Sequence, residues 1–186
     1  MAITVTPCPI EGLLEIQPTV FGDARGYFLE TWSERDFQKA GVDVRFVQDN
    51  ESRSRRGVLR GLHFQKERPQ GKLVRCVEGE VFDVAVDLRP NSPTRGKWHA
   101  VVLSGLRHNL FWVPPGFAHG FLVMSENATF AYKCTDFYCP EDEGGILWND
   151  PEIGVAWPDL GMEPLLSAKD SRQQSFRDYV LREGAR

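Results

Sequence analysis

Chain breakers set the first limit on this fold. The chain carries 17 glycines and 12 prolines, spread along its length rather than clustered. That distribution favours many short strands joined by turns over long helices. Between the breakers, strand-like runs are predicted over residues 3–6, 13–20, 27–32, 45–50, 57–65, 73–78, 81–88, 98–103, 110–113, 121–125 and 128–136. Residues 23–26 read as a turn, and the arginine-rich stretch 51–56 as a polar turn. Gly79-Glu80 reads as the tip of a tight hairpin between 73–78 and 81–88. In the second of those runs Phe82, Val84, Val86 and Leu88 share one face. Val81, Asp83, Ala85 and Asp87 share the other, the alternation of a sheet with two different faces. Helical signals are few. Ser33, an acid three residues on and Gly41 frame a short helix over 33–41. Residues 171–183 have helical spacing, with Phe176, Tyr179 and Val180 on one side. The pattern is all-β, an antiparallel barrel or double-sheet jelly roll with a few short helices, one near the C-terminus.

Length and composition narrow the class. Without a linker to divide it, the chain of 186 residues reads as one domain, 1–186. A net charge of −4 supplies no overall basic field for nucleic acid. The start, Met1-Ala2-Ile3-Thr4-Val5, lacks the pattern of a signal peptide. The longest charge-free apolar run, 110–124, is broken by Pro114-Pro115-Gly116 and is too short to span a bilayer. The four cysteines, at 8, 76, 134 and 139, form no C-x-x-C pair. Cys76 and Cys134 look like small buried hydrophobes. The expectation is a cytoplasmic protein with reduced thiols.

The stretch Gly57-Val58-Leu59-Arg60-Gly61-Leu62-His63-Phe64-Gln65 holds two residues foreign to a core, Arg60 and His63. A guanidinium is seldom buried unpaired, and an imidazole is the side chain suited to moving protons near neutrality. Glycine inside a strand often marks a bulge or the approach of a ligand. Strict alternation puts Arg60 and His63 on opposite faces. If both meet one ligand, the strand must bulge, with Gly61 the natural place.

Each of these residues also has a plain structural reading. His63 alone is a hydrogen-bonded core histidine, and Arg60 an ion-paired surface residue. The arginines at 53, 55, 56 and 60 make a solvated turn or a phosphate site, without the aromatic ladder that single-stranded nucleic acid needs. His119 follows Pro114-Pro115-Gly116-Phe117-Ala118 as a capping imidazole at a corner, yet the P-x-G-x-x-H spacing is similar to the second motif of cupins. Metal-binding cupins add an H-x-H and a glutamate. Here His63-Phe64-Gln65 supplies one histidine and a glutamine, so no metal set assembles, even with His99 and His108. Tyr132 reads as a core tyrosine, Lys72 as a strand-edge lysine, and Lys169-Asp170 as a helix entry.

Taken together, residues 23–30, 48–50, 57–63, 70–74 and 114–121, with Ala131-Tyr132-Lys133, Tyr138, Glu143 and Ser167-Ala168-Lys169-Asp170, resemble the dTDP-4-dehydrorhamnose 3,5-epimerases over almost the whole chain. The resemblance implies a cupin-like jelly roll. It implies an isomerase acting on dTDP-4-dehydro-6-deoxy-D-glucose at carbons 3 and 5, without a cofactor. It further implies His63 as base with Asp170 on its other nitrogen, Lys72 at the ketone oxygen, and Tyr132 as acid. Arg60 matches the diphosphate contact, and Gln48, Asp49 and Asn50 the nucleotide segment. Tyr138 matches the thymine-stacking position and His119 the sugar pocket. Arg25, Glu30, Glu143 and Lys169 match further substrate contacts, with the segment from Arg25 to Glu30 expected from the neighbouring subunit of a homodimer. Rival readings are an epimerase acting at one carbon only, a related keto-isomerase, and a non-catalytic sugar-nucleotide-binding cupin. A metal-dependent cupin oxygenase is a further one.

Overall fold

The computed structural model describes residues 3–184. Met1 and Ala2, part of the run read above for a signal peptide, lie outside the described residues. Thirteen strands and two α-helices follow one another along the chain: β1 Ile3–Pro7, β2 Leu14–Pro18, β3 Val20–Asp23, β4 Gly26–Leu29, α1 Glu34–Lys39, β5 Gln48–Arg55, β6 Leu59–Gln65, β7 Lys72–Glu78, β8 Glu80–Asp87, β9 Trp98–Ser104, β10 Leu110–Val113, β11 Phe117–Val123, β12 Asn127–Cys134, β13 Glu143–Gly145 and α2 Phe176–Gly184. Two antiparallel sheets face each other, in the orders β1-β2-β10-β7-β12-β5 and β13-β6-β11-β8-β9. This is the jelly-roll arrangement that the strand spacing predicts. The pair β3–β4 stands apart as a separate hairpin.

Three apolar layers hold the sheets. Between them, Val74, Phe111 and Phe130 of the six-stranded sheet meet Val81, Ala85 and Phe121 of the five-stranded one. Outside the five-stranded sheet, Leu62, Phe64, Val84 and Val86 are covered by Ile146, Ile153, Phe176 and Tyr179 from the C-terminal third. Outside the six-stranded sheet, Ile16, Leu73, Leu110 and Trp112 are covered by Phe37, Trp32 and Phe46. The two faces of residues 81–88 do differ. Val81 and Ala85 face the interior, while Val84 and Val86 face the C-terminal cover.

Four expectations need correction. Strands β7 and β8 do not form a hairpin: β7 pairs with β10 and β12, and β8 with β9 and β11. Both carry apolar residues on both faces, so each sits inside its own sheet and the turn at Gly79 changes sheets. Gly79 has φ +83°, and a Cβ there would lie 2.1 Å from the Asn127 carbonyl oxygen. The stretch 51–56 is not a turn, because β5 runs through it, paired with β12 from Gln48 to Arg55. As the edge strand it tolerates charge on its outer face, where Arg53 pairs with Glu78 at 2.5 Å. Strand β11 begins at Phe117 rather than at residue 121, so His119 lies within a strand and not at a corner. The last helix starts only at Phe176, where the Ser175 hydroxyl accepts the Asp178 amide at 3.1 Å as an N-cap. Asp170–Arg172 forms a separate 3-10 turn.

The expected bulge is present. His119 pairs with His63 and Phe121 with Arg60, so Gly120 alone opposes Gly61 and Leu62. The extra residue on β6 reverses the inward parity, and Arg60 and His63 reach the same side. The Gly61–Leu62 peptide is cis. A Cβ on Gly61, which has φ +137°, would lie 2.6 Å from the Gly120 Cα. Gly61→Ala is therefore expected to cost about 2–4 kcal/mol in urea unfolding. Gly41→Ala, also at positive φ but with nothing within 4 Å, is expected to cost about 1–2 kcal/mol. Equal losses would show that close approach is not what Gly61 provides.

Candidate active site

Between the sheets lies a cavity of about 430 Å³. From β6 it receives Arg60 and His63, from β11 His119, and from the loop before the last helix Lys169 and Asp170. From β7 and β12, in the opposite sheet, it receives Lys72 and Tyr132. Seven residues singled out by sequence thus converge from five separated segments.

His63 and Asp170 form the tightest contact. His63 Nε2 lies 2.5 Å from Asp170 Oδ1, and the Ser167 hydroxyl donates to Asp170 Oδ2 at 2.9 Å. Burial pushes the Asp170 carboxyl up, but the hydrogen bonds from His63 and Ser167 and the nearby Lys169 charge outweigh it and hold it below its ordinary value. Asp170 is thus a carboxylate near neutral pH. It accepts the Nε2 proton, which leaves Nδ1 as the basic nitrogen.

Lys72 opens β7, facing inward like Val74 and Cys76. Burial lowers its pKa, against the opposing pull of Cys134, Asp83 and Glu143. Tyr132 is paired between Val74 and Asn50. Burial raises its pKa, with Arg60 pulling the other way. It therefore remains a phenol and a proton donor. In the five-stranded sheet, His119 Nε2 lies 2.8 Å from Asp83 Oδ1 on the neighbouring strand β8. The Arg60 guanidinium is held by the Ser54 hydroxyl, at 3.0 Å from Nη2 and 3.2 Å from Nε. The cavity thus collects three basic side chains, Arg60, Lys72 and Lys169, a lining suited to an anionic ligand.

At the rim, Glu143 links two further residues. It accepts the Tyr138 hydroxyl at 2.8 Å and Lys169 Nζ at 2.6 Å. Burial raises the Glu143 carboxyl, but those two hydrogen bonds leave it below its ordinary value. Gln48 donates to Asn50 at 2.9 Å and accepts the Tyr138 amide at 2.9 Å, so the 48–50 segment and Tyr138 are one unit. Asp49 has the opposite parity. It pairs with Lys133 at 2.8 Å in a groove on the outer face. Arg25 and Glu30 are not brought to this cavity. Arg25 sits on the β3–β4 hairpin, its side chain 90% exposed and paired with Asp23.

Sequence reasoning missed Asp83, Ser54 and Ser167, and also Ser52, which lines the cavity from β5. Asp83 left a signal, a carboxylate on the inward face of a strand shared with Val81 and Ala85. Ser52 and Ser54 were hidden by the turn reading of 51–56, and Ser167 lay inside a recognised motif without a task. Among the described residues, no three His, Cys, Asp or Glu side chains gather as a metal-binding group.

A family model described as dTDP-4-dehydrorhamnose 3,5-epimerase matches residues 7–178. The enzyme of that name from Pseudomonas aeruginosa is 55% identical over 174 residues, covering 93% of this chain and 96% of that protein. The crystal structure of dTDP-6-deoxy-D-glucose-3,5-epimerase from Legionella pneumophila, in complex with dTDP-4-keto-L-rhamnose, superposes with a TM-score of 0.92 at 49% identity, covering 94% of this chain and 93% of that one. A 3′-monoepimerase from Streptomyces bikiniensis, in complex with dTDP-quinovose, reaches a TM-score of 0.88 at 36% identity, covering 96% and 90%.

Proposed function

The chain belongs to the dTDP-4-dehydrorhamnose 3,5-epimerase family, and on that premise we propose how its residues share the work. The enzyme is an isomerase that converts dTDP-4-dehydro-6-deoxy-D-glucose to dTDP-4-dehydro-L-rhamnose, inverting carbons 3 and 5, in dTDP-L-rhamnose biosynthesis. Hydrogens on those carbons are acidic only because the C4 ketone can take the electron pair as an enolate. The site must therefore offer a base to one face of the sugar, an acid to the other, and positive charge at the ketone oxygen.

One observation carries the assignment: His63 and Tyr132 line a single cavity from opposite sheets. His63 Nδ1 takes the proton, and Asp170 stabilises the imidazolium that forms. The pair from the breaking C–H bond moves onto the ketone oxygen, where the Lys72 ammonium stabilises the developing charge. Tyr132 then returns a proton from the other face and the ketone re-forms. Tyr132 regains its proton and His63 releases one to water, so the cycle closes.

Recognition divides among the rest. Arg60, fixed by a neutral hydroxyl rather than a carboxylate, keeps its charge for the diphosphate. His119 contacts the sugar. Tyr138 stacks on thymine, braced by Glu143, which also sets Lys169. Gln48 and Asn50 read the base through inward amides, and Asp49 contributes along the free backbone edge of β5. The cytoplasm, where Cys8, Cys76, Cys134 and Cys139 stay reduced, fits as the location, and we read residues 1–186 as one domain. Among the described residues no helix is long and apolar enough to cross a membrane.

Arg25 and Glu30 belong, in this reading, to a second copy's site. The hairpin that carries them exposes Tyr27 and Phe28 to 59% and 62%, an apolar surface that a homodimer would cover.

Proton exchange in heavy water, followed by NMR, tests the chemistry. The enzyme is expected to place deuterium at carbons 3 and 5. His63→Ala is expected to stop both, and Tyr132→Phe to lower epimerisation by about 10²–10⁴-fold. Exchange that survives His63→Ala would remove His63 as the base. Mixing tests the dimer. Combining inactive His63→Ala with inactive Arg25→Ala protomers creates one intact site in each mixed dimer, so about a quarter of wild-type activity returns if protomers exchange freely. No recovery from protomers shown by mass spectrometry to have exchanged would place Arg25 in its own chain's site.

A further inference from the structure

Asp83 has no task in the mechanism above. It lies on the inward face of β8, fully shielded from solvent. Its Oδ1 lies within hydrogen-bond distance of His119 Nε2, at 2.8 Å. Its Oδ2, equally buried, has no hydrogen-bond partner among the described residues. A buried acceptor left unpaired is unfavourable and asks for an explanation.

The groups facing it supply one. His119 approaches from β11, and Lys72 and Cys76 from β7. Lys72 in turn is faced by Cys134 from β12 and Glu143 from β13, as well as by Asp83. The two thiols cannot balance its charge near neutral pH. Burial pushes Cys76 up to about 11 and raises Cys134 as well. Glu143 is already bound to Lys169 and Tyr138. Asp83 is the carboxylate left for Lys72. Lys72 lines the same cavity as His119, the hydrogen-bond partner of Asp83, and feels its charge across space rather than through an ion pair within 4 Å among the described residues. Burial raises the Asp83 carboxyl above its ordinary value, and His119 and Lys72, which both favour its charged form, offset part of that rise.

We propose that Asp83 is a positioning residue for the epimerisation: it keeps Lys72 as the ammonium ion at the ketone oxygen, and it holds His119 with Nε2 protonated so that Nδ1 meets the sugar as an acceptor. The proposal rests on the reading of Lys72 given above. The unpaired oxygen then has a function. It is an uncancelled negative charge that offsets the cost of burying a cation next to an uncharged ketone, before any enolate exists to share that charge.

Asp83→Asn isolates the charge, since the amide matches the carboxylate in size and its oxygen can still accept from His119. The expected result is a kcat profile whose alkaline limb moves toward neutrality by about one pH unit or more, with KM changed by less than about threefold. Lowering the pH restores the rate until His63 itself protonates. In a Lys72→Met background, Asp83→Asn is expected to cost no further exchange, because it acts through the residue already removed. An alkaline limb that stays in place, or the same loss with and without Lys72, overturns the proposal. If Asp83→Asn does not fold, Asp83→Ser is read by the position of the alkaline limb alone, since the shorter side chain also releases His119, and an unmoved limb overturns the proposal in the same way. Wild-type exchange at carbons 3 and 5 is the reference: its absence overturns the reading of the site, whereas its presence with an unmoved limb overturns only the role of Asp83.

Discussion

The cavity depends on how closely β6 and β11 approach at Gly61 and Gly120. A Cβ on Gly120 would lie 2.6 Å from the Arg60 carbonyl oxygen, and one on Gly61 as near to the Gly120 Cα. That contact admits an extra residue into β6 without parting the sheet. The consequence reaches the chemistry directly. Without the bulge, alternation sends either Arg60 or His63 into the apolar layer beneath the C-terminal segment, and the guanidinium and the imidazole no longer share a cavity. With it, Leu62 and Phe64 anchor that outer layer while His63 faces the interior.

The electrostatic layout follows from which sheet each group belongs to. The five-stranded sheet carries His63, the proposed base, and its covering loop carries Asp170, the carboxylate bonded to it. The six-stranded sheet carries the Tyr132 phenol and Lys72. Burial acts on the last two in opposite directions, raising the tyrosine and lowering the lysine. In both cases burial favours the uncharged form, the neutral phenol and the neutral amine. A phenol that keeps its proton is useful as it stands, but a lysine that loses its charge is not. The lysine is the member that needs an external counter-charge, and Asp83 is placed to give it.

Much of this was legible in the sequence because it was local. Two glycines around Arg60, an imidazole three residues on, and an odd inward parity together announced a bulged, functional strand. The alternation of residues 81–88 likewise announced a strand with two different faces. What was not legible was pairing. Nothing in residues 73–88 distinguishes a hairpin from a turn that changes sheets, since that depends on whether β10, β11 and β12 offer better partners. Polarity misled at residues 51–56 because an edge strand tolerates the charges that a turn also prefers. Asp83 was visible as an anomaly but could not be given a role until His119 and Lys72, distant in sequence, were seen to face it. Arg25 and Glu30 lie beyond the reach of this chain's own cavity, so only the family resemblance pointed to them.

The proposed division of labour puts the sugar between the sheets, with the base on one face and the acid on the other. A crystal structure with a dTDP-sugar that lacks the 4-ketone, and so cannot react, tests it most directly. The ring is expected in the interior cavity, with His63 Nδ1 and the Tyr132 hydroxyl on opposite faces and the oxygen on carbon 4 directed at Lys72. A ring with both groups on the same face, or one bound in the outer groove beside Asp49 and Lys133, would contradict it.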